Sequence, residues 1–177
     1  RARMSRIADA LSSITVRDLD GVTLDVNVTL NITHPAREDL EISLVDPSGR
    51  AVVLASGLDA GDQLVDTVLD DDAGTDISAG SGSYTGSFRP VQPLALLEGE
   101  DPNGSWTLVV KGGNAAPGGT LDRWSLEIES GEPYGTSNVS GAAEINGLAP
   151  GEYEVMTDVG YGWIYTTSPE IYEVTVQ

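Results

Sequence analysis

The stretch Val22–Thr33 constrains this chain most. Val22, Leu24, Val26, Val28, Leu30 and Ile32 alternate without a break with Thr23, Asp25, Asn27, Thr29, Asn31 and Thr33. A period of two puts the apolar set on one face of a strand, whereas a helix would scatter it around its circumference. Such a strand needs neighbours in its own sheet and a second apolar layer over its inner face. The chain supplies both. Asp39–Val45 repeats the alternation with Leu40, Ile42 and Leu44. Asp46-Pro47-Ser48-Gly49 is a turn, with Pro presetting φ and Gly at the permissive end. Ala51–Ala55 then returns as the second arm of a hairpin. In Gly104–Glu129, Trp106, Leu108 and Val110 on one side of a Gly/Pro/Asn loop, and Trp124, Leu126 and Ile128 on the other, read as two more strands with inward rows.

The remaining segments fit the same architecture. Thr67–Leu69 is a short strand, and Ser87–Pro93 is held extended by its prolines. Leu94–Glu98 reads as a strand or a single helical turn. Many short strands, frequent turn signals and no amphipathic helix predict an all-β, jelly-roll-like β-sandwich. We expect residues 1–13 to be a linker or short helix, 14–130 the sandwich and 131–140 a linker. Residues 141–177 form a small β module or extension, with strands at Ala142–Ile145, Gly151–Thr157, Gly162–Thr167 and Ile171–Val176. Six of the ten aromatics lie after residue 130.

Charge narrows the function. The chain has 9 Lys and Arg against 28 Asp and Glu, a formal net charge of -19. That surface repels nucleic acid and anionic membranes and suits divalent cations, basic partners or plain solubility. With no Cys there is no disulfide and no thiolate zinc site. No run of apolar residues is long enough to span a membrane as a helix. The single histidine, His34, precedes Pro35, and no G-x-S-x-G elbow, H-E-x-x-H helix or P-loop accompanies it. It reads as a strand-end residue.

Calcium is the one inorganic ligand the residues favour, because it takes six to eight hard oxygens. Asp70, Asp71 and Asp72 stand in a row at the start of a 17-residue loop, Asp70–Gly86. Three adjacent carboxylates repel, and a cation relieves that repulsion. Asp39, Asp101 and Asp122 lie at strand ends, and the expectation is that they converge on the triple.

Several runs together resemble a known family. They are ITHPAREDLEISLVDPSG (Ile32–Gly49), VLDDDA (Val68–Ala73), GSYTGSFRPVQPLALLEG (Gly82–Gly99), NGSWTLVV and GGTLDRWSLEIE. In this order and spacing they resemble the P domain, or Homo B domain, of kexin- and furin-like subtilases and of bacterial secreted proteases. The likeness covers roughly Ile14–Ser130. It implies a non-catalytic sandwich that packs on a protease domain, supports its stability, tunes its calcium and pH dependence and helps hold protein substrate. It also implies a secreted or cell-surface setting in bacteria or archaea. Asp39 and Asp71 fall where the family usually carries aspartates. Gly112 and Pro117 stand where it often carries acids, which weakens a calcium site that depends on them. The tail's NGLAPGEYEV run resembles small prealbumin-like or pilin-type β modules.

Two further readings stand beside this one. The chain is a stand-alone binding or adhesion module for a glycan or protein, with Tyr161, Trp163 and Tyr165 as an exposed aromatic row. Alternatively, that row is the core of the tail. An enzyme in its own right is the poorest reading, given one His and no Cys.

Overall fold

The computed structural model describes residues 2–3, 10–112, 118–132, 151–156 and 171–176. The chain divides into two compact units, residues 1–147 and 148–177. The first is a β-sandwich. One sheet has the order β1-β9-β3-β6-β7, from β1 (Ala2–Arg3), β9 (Thr120–Gly131), β3 (Val22–Thr33), β6 (Gln63–Leu69) and β7 (Gly86–Phe88). We call it sheet A. Sheet B has the order β2-β8-β4-β5, from β2 (Ala10–Val16), β8 (Gly104–Lys111), β4 (Glu41–Val45) and β5 (Ala51–Ser56). All pairings are antiparallel except β6 with β7.

From Val26 onward the core is what the alternation foretells; before it, a register shift between Thr23 and Asp25 buries Thr23 and leaves Val22 and Leu24 only partly buried. From β3, Val26, Val28, Leu30 and Ile32 are buried. They face Ile42 and Leu44 of β4, Val52 and Leu54 of β5, and Trp106, Leu108 and Val110 of β8 in one cluster. The Trp106 indole N–H is satisfied by the Pro102 carbonyl at 2.8 Å. Trp124 is only partly buried against the core, and its indole N–H reaches across the sandwich to Ser12 Oγ at 2.9 Å. The Asp-Pro-Ser-Gly turn forms as expected, with Gly49 at φ 94. Its Asp46 is buried and accepts from Ser48 Oγ, Arg50 N and Arg50 Nε, each at 2.8 Å.

Residues 1–13 and the Asp70–Gly86 loop differ from the sequence reading, while Leu94–Glu98 takes its helical-turn alternative. Residues 1–13 are not simply a linker: Ala2–Arg3 pairs with β9, and Ala10–Val16 is an edge strand of sheet B. In β2 the inward positions include Ser12 and Ala10, so hydropathy alone hides the strand. Leu94–Leu97 is a 3-10 turn. The Asp70–Gly86 loop contains another, Ile77–Ala79, whose Ile77 is in the core. In the second unit, β10 (Gly151–Met156) and β11 (Ile171–Val176) form an antiparallel hairpin with Tyr153 opposite Val174. The strands expected at Ala142–Ile145 and Gly162–Thr167, the 133–140 part of the expected linker, and the Tyr161, Trp163 and Tyr165 row lie outside the described residues.

Arg37 is buried, with its side chain 3% exposed. Its guanidinium donates to the carbonyls of Gln63 at 2.5 Å and Gly82 at 2.6 Å, pairs with the Asp59 carboxylate, and lies 4.5 Å from the Tyr84 ring centroid. Tyr84 in turn donates to Gly80 O and accepts from Asp59 N. This one cation ties the loops before β6 and before β7 to the start of β4. Removing it takes the shared donor from part-buried main-chain carbonyls of two loops. Arg37→Met should lower stability by about 2 kcal/mol in urea unfolding. Arg89→Met, which breaks the exposed pair with Asp76 (46% and 57% exposed), should cost under about 1 kcal/mol in the same assay.

Candidate functional site

The most unusual chemistry lies where β3 begins and β6 ends. Asp25 on β3 stands directly opposite Glu129 on β9. Like charges in that position destabilise a strand pair. Burial pushes the Asp25 carboxyl above its ordinary value, and Asp70, Asp72 and Glu129 push it further against the pull of the Val26 N–H. Glu98 is raised too, by burial first and then by Asp25 and Asp71. At this end of the sandwich, Asp25 thus senses Asp70, Asp72 and Glu129, and Glu98 senses Asp25 and Asp71. The Asn27 Nδ2 donates to Asp25 at 2.9 Å, while its Oδ1 is buried without a hydrogen-bond partner.

The triple aspartate is put to three uses. Asp70 Oδ1 accepts from Asp72 N at 2.7 Å, which closes a local turn. The two oxygens of Asp71 accept from Leu94 N at 3.0 Å and Ala95 N at 2.9 Å, capping the Leu94–Leu97 turn. Asp72 follows on the exposed side of the loop. The other expected ligands do not join them. Asp122 accepts from Thr33 Oγ1 at 3.0 Å, at the far end of β3. Asp39 follows the β3 exit and has a buried Oδ2 without a hydrogen-bond partner. Asp101 holds the Asn103 backbone and amide N–H groups at 2.8 and 2.7 Å. Twelve-residue β3 separates the two ends, so Asp39 and Asp122 do not converge on Asp70–Asp72. Among the described residues, no group of three or more His, Cys, Asp or Glu is arranged to hold a metal. Sequence reasoning missed Asp25 and Glu98; the signal was Asp25 in an outward strand position, but its neighbours depend on pairing.

His34 is buried, and its Nδ1 lies 2.8 Å from the Ala36 carbonyl. Its hydrogen bonding is to its own turn, with no hydroxyl or carboxylate partner among the described residues, so it is not set up as a general base.

The outer faces of the two sheets differ in kind. Sheet A presents Asp25, Glu127, Glu129 and Arg123. On sheet B, two rows in register carry no charge. Leu11, Val109, Ser43 and Val53 form one, and Ser13, Thr107, Val45 and Ala51 the other. The charges come at the margin, where Lys111 pairs with Glu41 at 2.8 Å.

The described residues form a two-sheet body in which Asp46, Asp70 and Asp71 serve turns. Among known families, the model of the proprotein convertase P-domain matches residues 23–128. The chain belongs to that family, whose domains are non-catalytic and accompany a catalytic protease domain. No curated protein matches the chain. No helix among the described residues is long and apolar enough to cross a membrane.

The two kinds of carboxyl predict opposite pH effects. Burial raises Asp46, but the hydrogen bonds from Ser48 and Arg50 and the Arg50 charge outweigh it, leaving the group below its ordinary value of 3.8. Its stabilisation is present above the unfolded-state value and is lost as pH falls through the lower folded one. Asp25 is raised above 3.8, so its charged form costs stability at neutral pH, and that cost disappears as pH falls through the folded value. In thermal unfolding, Asp46→Asn should lower Tm at pH 7 and lose its effect in acid. Asp25→Asn should raise Tm at pH 7 and likewise converge with the parent in acid.

Proposed function

We propose that this chain is the accessory P domain of a secreted or cell-surface bacterial or archaeal protease, of the subtilisin-like serine or metalloprotease kind. It acts by contact. A rigid sandwich buried against the enzyme limits the enzyme's unfolding, and tethering keeps the local concentration high. The family match over residues 23–128 carries this reading. Help in holding protein substrate follows the same geometry, since a domain fixed beside the active cleft extends the surface a substrate meets. Deleting residues 10–132 from the parent protease should lower its Tm and shorten its half-life at working temperature. A parent protease equally stable without them would overturn the proposal.

The reading carries a calcium expectation. The five aspartates expected from sequence do not fit one ion, because Asp39 and Asp122 lie at the far end and both Asp71 oxygens are taken by main-chain N–H groups. Among the described residues no three carboxylates are arranged to hold an ion, so calcium acts here as a loosely held counter-ion against the repulsion of Asp25 by Asp70, Asp72 and Glu129. The ion relieves repulsion there. At matched ionic strength, millimolar calcium should raise Tm over EDTA. Asp72→Asn should shrink the rise and Asp122→Asn should leave it. Equal Tm in calcium and EDTA would remove calcium from the proposal.

A further inference from the structure

We propose that the outer face of sheet B is the surface on which this domain seats its protease partner; this rests on the accessory reading above. In a chain of net charge -19, the two register rows across β2, β8, β4 and β5 hold only Leu, Val, Ala, Ser and Thr. Leu11 stands 63% exposed at the β2 end, and Val91, 46% exposed, flanks β5. Protein interfaces have this anatomy, a centre depleted of charge inside a polar rim. The rim is present: Glu41 and Lys111 at one end, Arg17 and Asp18 at the other.

Arg17 identifies the kind of partner. Arg37, Arg50, Arg89, Lys111 and Arg123 are each paired with a carboxylate, whereas Arg17 has no ion pair or hydrogen bond among the described residues. It is exposed and lines a shallow groove of about 390 Å³ between the end of β2 and the start of β8. The groove is pre-formed. Asn103 clamps the neighbouring loop by accepting from Leu19 N at 3.1 Å and donating to Leu19 O at 2.8 Å. Gly104, at φ 134, leaves no room for a Cβ beside Pro47. An unpaired cation at the edge of an uncharged face calls for a folded partner that is uncharged at its centre and offers a carboxylate opposite Arg17. A second copy of this acidic chain is the weaker match, because two net charges of -19 repel as they approach.

The absence of cysteine allows a direct test by single-cysteine labelling, localised by mass spectrometry. Leu11→Cys and Ser105→Cys probe sheet B, and Ser125→Cys probes sheet A. Each is labelled in this chain alone and in the parent polypeptide carrying the protease domain. The expected result is labelling of the sheet B cysteines slowed roughly tenfold or more in the parent, with Ser125→Cys unchanged. Protection of Ser125→Cys but not of Leu11→Cys overturns the face and leaves the accessory reading standing. No protection anywhere, with no loss of protease stability on deleting the domain, overturns both. Protection of Leu11→Cys that grows with concentration in the chain alone assigns the face to a second copy and overturns the proposal. Arg17→Glu should weaken the partner contact, read as faster labelling of Ser105→Cys in the parent only.

Discussion

The fold depends on the burial of one row of β3 against one row of β8. Val26, Val28, Leu30 and Ile32 meet Trp106, Leu108 and Val110, all at 0 to 1% exposure. Each such side chain contributes about 1.5–3 kcal/mol on leaving water. β3 pairs with both β6 and β9, and β8 with both β2 and β4, so these strands are inner members of their sheets. A one-residue slip in either would turn its apolar row to solvent. Their alternation thus sets the register of their neighbours, and that register decides which polar residues meet at each end.

Charge is sorted by the same geometry. The outward positions of β3 and β9 set Asp25 against Glu129, and the end of β6 brings Asp70 and Asp72 near them. Sheet B's outward positions are uncharged over two rows. A sandwich needs polar groups outside only for solubility, and one acidic sheet supplies that. The other is then free to carry uncharged rows, which suits the face proposed for contact.

The strands of the core were legible because a period of two survives any tertiary context. Asp46-Pro47-Ser48-Gly49 was legible because turn chemistry is local. β2 was not: Ala10, Ser12, Ile14 and Val16 face inward, and Ser12 earns its place only through the Trp124 indole across the sandwich. Arg37 was equally hidden, since an arginine beside Glu38 and Asp39 looks like surface until Gln63, Gly82 and Asp59 surround it. The acids were visible but their grouping was not. Asp39 and Asp122 share a residue type with Asp70 and Asp72, and only pairing reveals that they sit at the other end of β3.

The Asp70–Gly86 loop shows how these contacts limit what an ion has left to do. Asp71 fixes its start to the Leu94–Leu97 turn, Asp76 pairs with Arg89, and Arg37 holds Gly82. Tyr84 is buried within it, bonded to Gly80 and packed 5.6 Å from Phe88, centroid to centroid. A loop already fixed at four points needs no metal to order it. Any cation at this end therefore acts on the repulsion of Asp25 by Asp70, Asp72 and Glu129, and its signature is a change in stability without a gain of structure. Asp71 is the wrong residue with which to look for that signature. Its substitution removes a main-chain cap as well as a charge, so the loop would loosen with or without an ion.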